Sequence, residues 1–452
     1  MKALEISTDS RTIEKNSIYV ALKGEKFDGH DFIIECLEKE ASKIYSELSF
    51  EELVDKFQKL NKEPRKIELL TSSKNKIQQV DSGLKKYQEL ARNYKRQINP
   101  LTIAITGSNG KTTAKEMLAE ILKNKFKIHY SKANFNNEIG VPKTILAMPE
   151  DTEVLILEMG MRGLGQIAEL SAIAEPNISL ITCIGTAHIE LLGSQENIRT
   201  AKLEIIDSAQ NYQAGNYSKD HEKTLIVDKS LFELLNTENK YQDLLQNIEC
   251  DYFSNEEIIS LDMLSNNGIN ASANAVIKIT SLLEIEDDEA KASLENFKPI
   301  NGRGMIYKDE LTNIYIDETY NASPETLKLG VESIIHEFSS EPKLIVSAEI
   351  LENDSEIVAK TFQDIEDLTK NTENKLSFLN LENKDEVQKS KEFLEQLELK
   401  EPPQIQEISY QDLQKLKSQN SINKLVYLKA SRAAKLDKLL QVPSLKTKSS
   451  IS

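Results

Sequence analysis

The chain has few cysteines, no long apolar run and a deficit of basic residues, and each shortage argues against a class of protein. Its three cysteines, Cys36, Cys183 and Cys250, are far apart and form no CxxC pair, which argues against a disulfide framework and a thiolate zinc site. The longest apolar runs are far too short to span a bilayer, and the first eleven residues lack the apolar core of a secretory signal. Lys and Arg number 56 against 73 Asp and Glu, a net charge of −17, which argues against nucleic acid as a partner. We therefore expect a cytoplasmic protein that does not insert into membranes.

The length of the chain indicates several domains. At about 150 residues per domain, 452 residues correspond to about three, and a hydrophobic content of 39% is enough for several buried cores. The residue pattern changes after Asn99-Pro100 and again near Asn301-Gly302. We predict units at 1–98, 99–300 and 301–445.

Continuous apolar runs separated by helical patterns indicate the fold class. LTIAIT (101–106), VLILE (154–158) and ISLITCIG (178–185) are apolar at nearly every position. Strands of this kind are typical of a parallel sheet with helices on both faces. Similar runs recur between 314 and 431, whereas the charge-rich segment 365–400 predicts a solvated helix or loop. The whole chain is therefore expected to be α/β.

A glycine-bearing turn follows the first of these runs and has the composition of a phosphate-binding loop. In such a loop, glycines let backbone N–H groups approach phosphates and the helix N-terminus favours the anion. The lysine would reach the β/γ-phosphates, and the threonine after it would bind Mg²⁺. The usual first glycine of the pattern, five positions before Gly110, is replaced by Ile105, so the loop is shortened, and the alternative is a structural turn with an incidental lysine. The candidate residues are Gly107, Ser108, Asn109, Gly110, Lys111, Thr112 and Thr113.

Two further candidates follow neighbouring strands of the predicted sheet. Glu158 ends VLILE and His188 comes shortly after ISLITCIG, so both fall at the carboxyl edge with the phosphate loop. An acid and an imidazole at that edge can hold a metal beside nucleotide phosphates. A histidine after a strand, taken alone, is more often structural.

Two other segments carry chemistry that the residues alone leave open. Asn134, Asn136 and Asn137 lie in an amide-rich loop that could bind a carboxylate or phosphate, or could cap itself. Lys202 lies on a helical pattern, and by itself it predicts a solvated lysine on a helix face.

Taken together, these segments resemble the Mur ligase family and, within it, the MurF type. The match extends in family order over nearly the whole chain, and the DNPR string typical of the sister enzymes that add diaminopimelate or lysine is absent. The matching strings are STDSR (7–11), ALKGEKFDGHDF (21–32), TGSNGKTTAKEM (106–117), NFNNEIGVPKTIL (134–146), LEMGMRGLGQI (157–167), IGTAHIELLGS (184–194), AKLEI (201–205), NGR (301–303), DETYNASPETL (317–327) and LKASR (428–432).

The resemblance implies three α/β domains with separate roles. The first would bind the UDP end of the substrate through Ser10 and Arg11, the second would be a parallel-sheet P-loop ATPase domain, and the third would be Rossmann-like and receive a dipeptide. Nucleotide contacts would come from Asn274 in the second domain and from Arg303 and Asp317 in the third, which must close over the nucleotide about a hinge near residue 300.

For the central site, the resemblance implies catalysis by three residues and a shared metal site. Lys111, His188 and Lys202 would be catalytic, and Lys202 matches a family lysine that becomes a carbamate. Magnesium would be bound by Thr112, Glu158, His188 and Lys202, and the asparagine loop would contact substrate.

The implied reaction is ATP-dependent amide formation in peptidoglycan precursor synthesis. D-Alanyl-D-alanine would be added to UDP-N-acetylmuramoyl-tripeptide through an acyl phosphate by a monomeric enzyme that uses ATP and Mg²⁺. Two alternatives are kept open: a catalytically degenerate relative that binds nucleotide as an interaction protein, and another ATP-dependent ligase such as a folylpolyglutamate synthase. The first is motivated by VSAEILEND (346–354), which lacks the Gly-Asp pair of the family string LGDMLELG.

Overall fold

The computed structural model describes most of the chain. The described residues are 5–24, 26–60, 63–132, 134–210, 223–246, 248–254, 267–295, 297–298, 302–351, 353–370, 376–399, 405–408 and 410–440. Asn301 of the NGR string, the predicted boundary at 300–301 and residues 441–445 lie outside these ranges.

Four short strands form a parallel sheet at the start of the chain, in the order β1-β2-β3-β4. Tyr19, Ile33, Leu53 and Phe57 are buried in its core. The elements are β1 (Ile6–Ser7), β2 (Ile18–Val20), α1 (Ile33–Glu38), β3 (Lys43–Ser46), α2 (Phe50–Lys59), α3 (Pro64–Ser72), β4 (Ile77–Gln79) and α4 (Gly83–Ile98).

Helix α4 fastens this sheet to the next one. The Tyr94 hydroxyl donates to the carbonyl of Met148 at 2.7 Å, and the buried Lys95 ammonium donates to the carbonyl of Glu175 at 3.1 Å. Arg96 forms an ion pair with the Glu175 carboxylate. The helix ends at Asn99, whose left-handed conformation turns the chain into the next strand.

The second sheet has six parallel strands, in the order β10-β9-β8-β5-β7-β6. All residues of the inner strands β5, β7 and β8 are buried, because apolar clusters cover both faces of the sheet. The elements are β5 (Leu101–Thr106), α5 (Lys111–Leu122), β6 (Ile128–Tyr130), α6 (Gly140–Leu146), β7 (Val154–Glu158), α7 (Gln166–Ala174), β8 (Ile178–Ile181), α8 (Ile189–Leu192), α9 (Gln195–Leu203), β9 (Lys223–Asp228), α10 (Lys229–Thr237), β10 (Ile248–Phe253), α11 (Asn267–Leu282) and α12 (Asp287–Leu294).

The third sheet is mixed, in the order β14-β13-β16-β12-β11-β15, with β11 antiparallel to both of its neighbours. The prediction of a solvated helix or loop over 365–400 is wrong in part, because Leu376–Asn380 is a strand paired with β13. The elements are β11 (Met305–Asp309), β12 (Ile314–Glu318), α13 (Pro324–Glu337), β13 (Lys343–Ser347), α14 (Ser355–Thr369), β14 (Leu376–Asn380), α15 (Glu386–Leu397), β15 (Ile405–Glu407), α16 (Tyr410–Ser418) and β16 (Leu425–Lys429).

The architecture confirms the α/β class, with helices packed on parallel strands in all three sheets. Within the described ranges, no helix is both long enough and apolar enough to cross a membrane.

Candidate active site

A cavity of about 1030 Å³ opens at the carboxyl edge of the second sheet and is lined on its far side by residues of the third unit. Strand β5 lies between β8 and β7, so the chain leaves β5 where the strand order reverses, which is the place where α/β sheets bind ligands. The predicted residues that line the cavity are Ser108, Asn109, Gly110, Lys111, Thr112, Thr113, Asn134, Asn136, Asn137, Glu158, His188 and Arg303.

Two glycines shape the loop between β5 and α5. Gly107 has φ 148° and Gly110 has φ 83°, conformations that favour glycine. A Cβ on Gly107 would collide with the side chain of Thr182, which follows β8. The loop therefore lies against the neighbouring strand end, and the N-terminus of α5 faces the cavity, where anions are favoured.

The Lys111 side chain folds back over this loop. Its ammonium donates to the carbonyl oxygens of Gly107 at 2.7 Å and Ser108 at 3.3 Å. Burial lowers the pKa of Lys111, and the negative charge of Glu158 partly opposes that effect. The charge is thus held beside the backbone that would bind phosphate.

Thr112 and Asn136, both half-buried, form a polar cluster with the buried Glu158 at the same edge. The Thr112 hydroxyl donates to Oε2 of Glu158 at 2.9 Å, and the Asn136 amide donates to Oε1 at 2.9 Å. The Glu158 side chain is only 4% exposed. Hydroxyl and carboxylate oxygens are the donors that Mg²⁺ prefers, and Mg²⁺ commonly uses one or two carboxylates together with substrate phosphates. These donors fit a metal that takes further ligands from nucleotide phosphates. Among the described residues, no group of three or more His, Cys, Asp or Glu could hold a metal.

His188 lines the cavity in a segment that touches both the phosphate loop and the third unit. It adopts a left-handed conformation (φ 70°) immediately before α8. Two residues earlier, the backbone N–H and the hydroxyl of Thr186 both donate to Oε1 of Glu325, at 2.9 and 2.5 Å. Gly185 N–H donates to the Ser108 hydroxyl at 2.9 Å. The segment 183–188 therefore connects the phosphate loop with α13.

Two further contacts join the third unit to the phosphate loop and to the start of α5. The Arg303 guanidinium donates to the Thr112 hydroxyl at 3.1 Å and lies over the ring of Tyr320. The Asn109 amide donates to the Ser323 hydroxyl at 3.2 Å. Asp317 lies at the end of β12 but does not line the cavity; its carboxylate accepts hydrogen bonds from Thr319, and burial raises its pKa.

Lys202 is buried, so the prediction of a solvated lysine on a helix face is wrong. Its side chain lies in the last turn of α9, and the residue is 1% exposed. Burial, together with the positive charge of nearby Lys111, holds the pKa of Lys202 well below its ordinary value. A lysine in this environment can be neutral and nucleophilic, although it does not itself line the cavity.

Other predicted residues lie outside the cavity lining. Gly107 is a buried residue of the loop, and Asn274 is buried in α11, two residues beyond the lining residue Ser272. In the first unit, the Ser10 hydroxyl donates to Glu35 at 3.4 Å, and the exposed Arg11 pairs with Asp9 at 2.7 Å.

The asparagine loop divides between two tasks. Asn137 caps the start of α6 by accepting the N–H of Gly140 at 2.9 Å, whereas Asn136 holds Glu158. Asn134 supplies a carbonyl that accepts the N–H of Asn136 at 2.9 Å. The self-capping interpretation therefore holds for Asn137, whereas binding of a substrate carboxylate or phosphate by this loop stays a prediction.

Three residues that meet at the site were not singled out from the sequence: Lys115, Thr186 and Glu325. The sequence could have indicated Lys115, because it lies three residues after Thr112 in the same helix, and residues at this spacing share a helix face. Thr186 and Glu325 are 139 residues apart, and no local pattern indicates that they meet.

The fold is that of a Mur ligase. Residues 105–267 match the Mur ligase middle domain family. The structure resembles the MurF ligase of Thermotoga maritima in complex with ADP, with a TM-score of 0.72 at 22% identity over 97% of this chain and 96% of that one.

Two curated relatives show which type of Mur ligase this chain resembles. The UDP-N-acetylmuramoyl-tripeptide–D-alanyl-D-alanine ligase of Bacillus subtilis (strain 168) is 31% identical over 362 residues, 77% of this chain and 73% of the relative. The enzyme of the same name from Synechocystis sp. is 32% identical over 339 residues, 72% of this chain and 68% of the relative. The chain belongs to the MurF family of Mur ligases.

Proposed function

We propose that this chain is an ATP- and Mg²⁺-dependent ligase that adds D-alanyl-D-alanine to UDP-N-acetylmuramoyl-tripeptide, a step of peptidoglycan precursor and cell-wall synthesis. The names of the relatives support this substrate pair. The observation that carries the proposal is the Thr112–Glu158 pair at the N-terminus of α5, which Arg303 of the third unit contacts directly.

In the first step, a carboxylate oxygen of the UDP substrate attacks the γ-phosphorus of ATP. The products are an acyl phosphate and ADP. Two anions must meet, so the protein contributes mainly position and positive charge. Lys111 and the N-terminus of α5 supply that charge beside the loop, and Arg303 adds a second cation from the third unit.

Thr112, Glu158 and His188 are the residues we assign to magnesium, which would neutralise phosphate charge when bound. Lys202 is assigned as a lysine that reacts with CO₂ to form a carbamate. Its burial and lowered pKa support this assignment, because the reaction needs a neutral amine. A carbamate would add oxygen donors, which an ammonium cannot offer.

In the second step, the amine of D-alanyl-D-alanine attacks the acyl carbonyl, the C–O bond to phosphate breaks and inorganic phosphate leaves. We assign the incoming dipeptide to the unit at 301–445 and ATP to the unit at 99–300, with Asn274 and Asp317 supporting the nucleotide contacts. Ser10 and Arg11 in the unit at 1–98 are assigned to the UDP end. Cytoplasmic location and a monomeric state stay predictions.

A phosphate-release assay with omitted components tests this function. ATP, Mg²⁺, UDP-muramoyl-tripeptide and D-alanyl-D-alanine together should release phosphate and yield a UDP product heavier by the dipeptide residue. Omission of either UDP-muramoyl-tripeptide or D-alanyl-D-alanine should abolish the steady release of phosphate. Release that needs neither would contradict coupled ligation, and no release with any amino-acid acceptor would favour a degenerate nucleotide-binding relative. Turnover with glutamate and a folate instead would favour the folylpolyglutamate synthase alternative.

A further inference from the structure

Lys115 is a buried cation that the mechanism above does not use. It lies on α5, and its side chain is fully buried. Its ammonium lies 3.0 Å from Oε1 of Glu116 and 3.7 Å from Oε2 of Glu158. Within the described residues, it meets no acceptor with hydrogen-bond geometry. The Tyr130 ring centroid is 6.0 Å away.

A lysine in this position needs a reason, because a buried charge is costly unless it is paired. Among the described residues, Glu116 and Glu158 are the two carboxylates within 4 Å of the ammonium, and they are unequal partners. The Glu116 side chain is 25% exposed and shares its charge with solvent, whereas the Glu158 side chain is 4% exposed. The charge of Glu158 is therefore the one that depends most on Lys115.

The geometry also shows what Lys115 competes with. Thr112 and Lys115 are three residues apart on one helix face, and both approach Oε2 of Glu158. Asn136 occupies Oε1. Glu158 lines the cavity whereas the buried Lys115 does not, so a divalent cation bound at Glu158 would share this carboxylate with Lys115. Two cations on one carboxylate repel each other, and the repulsion is strong where water is scarce.

We propose that Lys115 is a positioning residue that acts as the internal counter-ion of Glu158 and weakens divalent-cation binding until nucleotide phosphates are present. The inference rests on the proposed function only in taking Glu158 as a metal ligand. In the nucleotide-free protein, Lys115 balances the Glu158 charge, so the carboxylate attracts a metal weakly. Nucleotide phosphates add negative charge on the cavity side, and this charge raises the affinity of the site for the metal.

The test measures Mn²⁺ binding to the full chain by electron paramagnetic resonance, without and with ADP. Mn²⁺ suits the same oxygen donors as Mg²⁺. Lys115→Met removes the charge and keeps much of the volume, so nucleotide-free Mn²⁺ affinity should rise by on the order of tenfold or more. The gain should be smaller with ADP bound. Lys123→Met is the matched control, because Lys123 lies just after the same helix and pairs with Glu120, but is 50% exposed; it should change neither affinity.

Circular dichroism would show whether Lys115→Met folds, and Lys115→Met/Glu116→Gln provides a second variant with one fewer unpaired carboxylate. Unchanged or weaker nucleotide-free Mn²⁺ binding in a folded variant would overturn the proposal, because a merely structural lysine would loosen the site when removed. The readout is independent of ligation. A chain with no ligase activity but a tightened Mn²⁺ site would refute the proposed function and leave this inference standing.

Discussion

The contact between Thr186 and Glu325 predicts that docking of the third unit is coupled to the segment that carries His188. Oε1 of Glu325 accepts two hydrogen bonds from Thr186, one from its backbone N–H and one from its hydroxyl. Burial alone would raise the pKa of Glu325, but these hydrogen bonds help to lower it, so the carboxylate is charged at neutral pH. The contact is thus charge-assisted and lies at the cavity, which Glu325 lines.

The expected magnitude follows from the bonds that each variant removes. A hydrogen bond to a charged group contributes about 1.5–3 kcal/mol. Thr186→Val removes the hydroxyl bond and keeps the N–H bond, so docking should weaken by about 1.5–3 kcal/mol, or roughly 10- to 150-fold. Glu325→Gln keeps an acceptor but loses the charge, and should weaken docking by about 1 kcal/mol. The double variant should cost less than the sum, because both changes act on one contact.

The assay is a double-mutant cycle on kcat/KM for phosphate release, with small-angle scattering as the structural readout. Both single variants should reduce compaction in the presence of an ATP analogue and the UDP substrate. Glu332→Gln is the control, because Glu332 lies exposed on the same helix α13. Losses that add within about 0.5 kcal/mol, or equal compaction in all variants, would refute the coupling.

Three further outcomes are expected. Lys111→Ala should lower kcat by about 10²- to 10³-fold, since it removes a cation from the transferred phosphoryl group, whereas Lys123→Ala should not. With ¹³C-bicarbonate, nuclear magnetic resonance should show a carbamate carbon that is absent in Lys202→Arg, and short carboxylates should partly restore Lys202→Ala; a signal that persists in Lys202→Arg would contradict the assignment. Burial alone would raise the pKa of Asp28, but hydrogen bonds from Lys56 and His30 lower it to about 2 from 3.8. The contribution of the Asp28 carboxylate to the free energy of unfolding is therefore complete above about pH 4 and lost as the pH falls toward 2. Asp28→Asn should make the free energy of unfolding, measured with denaturant, fall less steeply over this pH range.

The sequence was most informative where chemistry and chain order coincide. The run 101–106 is strongly apolar and is followed at once by the glycine turn and a helical pattern, so strand, loop and helix were predictable together. Strand β14 was missed because it is an edge strand with only three apolar residues, Leu376, Phe378 and Leu379, and the sequence around it is highly charged.

Burial of polar side chains was the least predictable feature of the site. Glu158 could be placed because a strand end fixes the sheet edge on which it lies. The burial of Lys202 depends on which parts of the chain pack against α9, and the residue pattern of a helix does not predict its packing partners. The Thr186–Glu325 contact depends on how two separate sheets dock, which no local pattern encodes.

The central claim, ligation through an acyl phosphate, is tested most directly by following oxygen. UDP-muramoyl-tripeptide is labelled with ¹⁸O in its terminal carboxylate and turned over with ATP and D-alanyl-D-alanine, and the released phosphate is analysed by mass spectrometry. The carboxylate oxygen that attacks phosphorus stays on phosphorus when the amine displaces phosphate, so the account predicts one ¹⁸O in each phosphate formed from a fully labelled carboxylate. Unlabelled phosphate accompanying amide formation would contradict it.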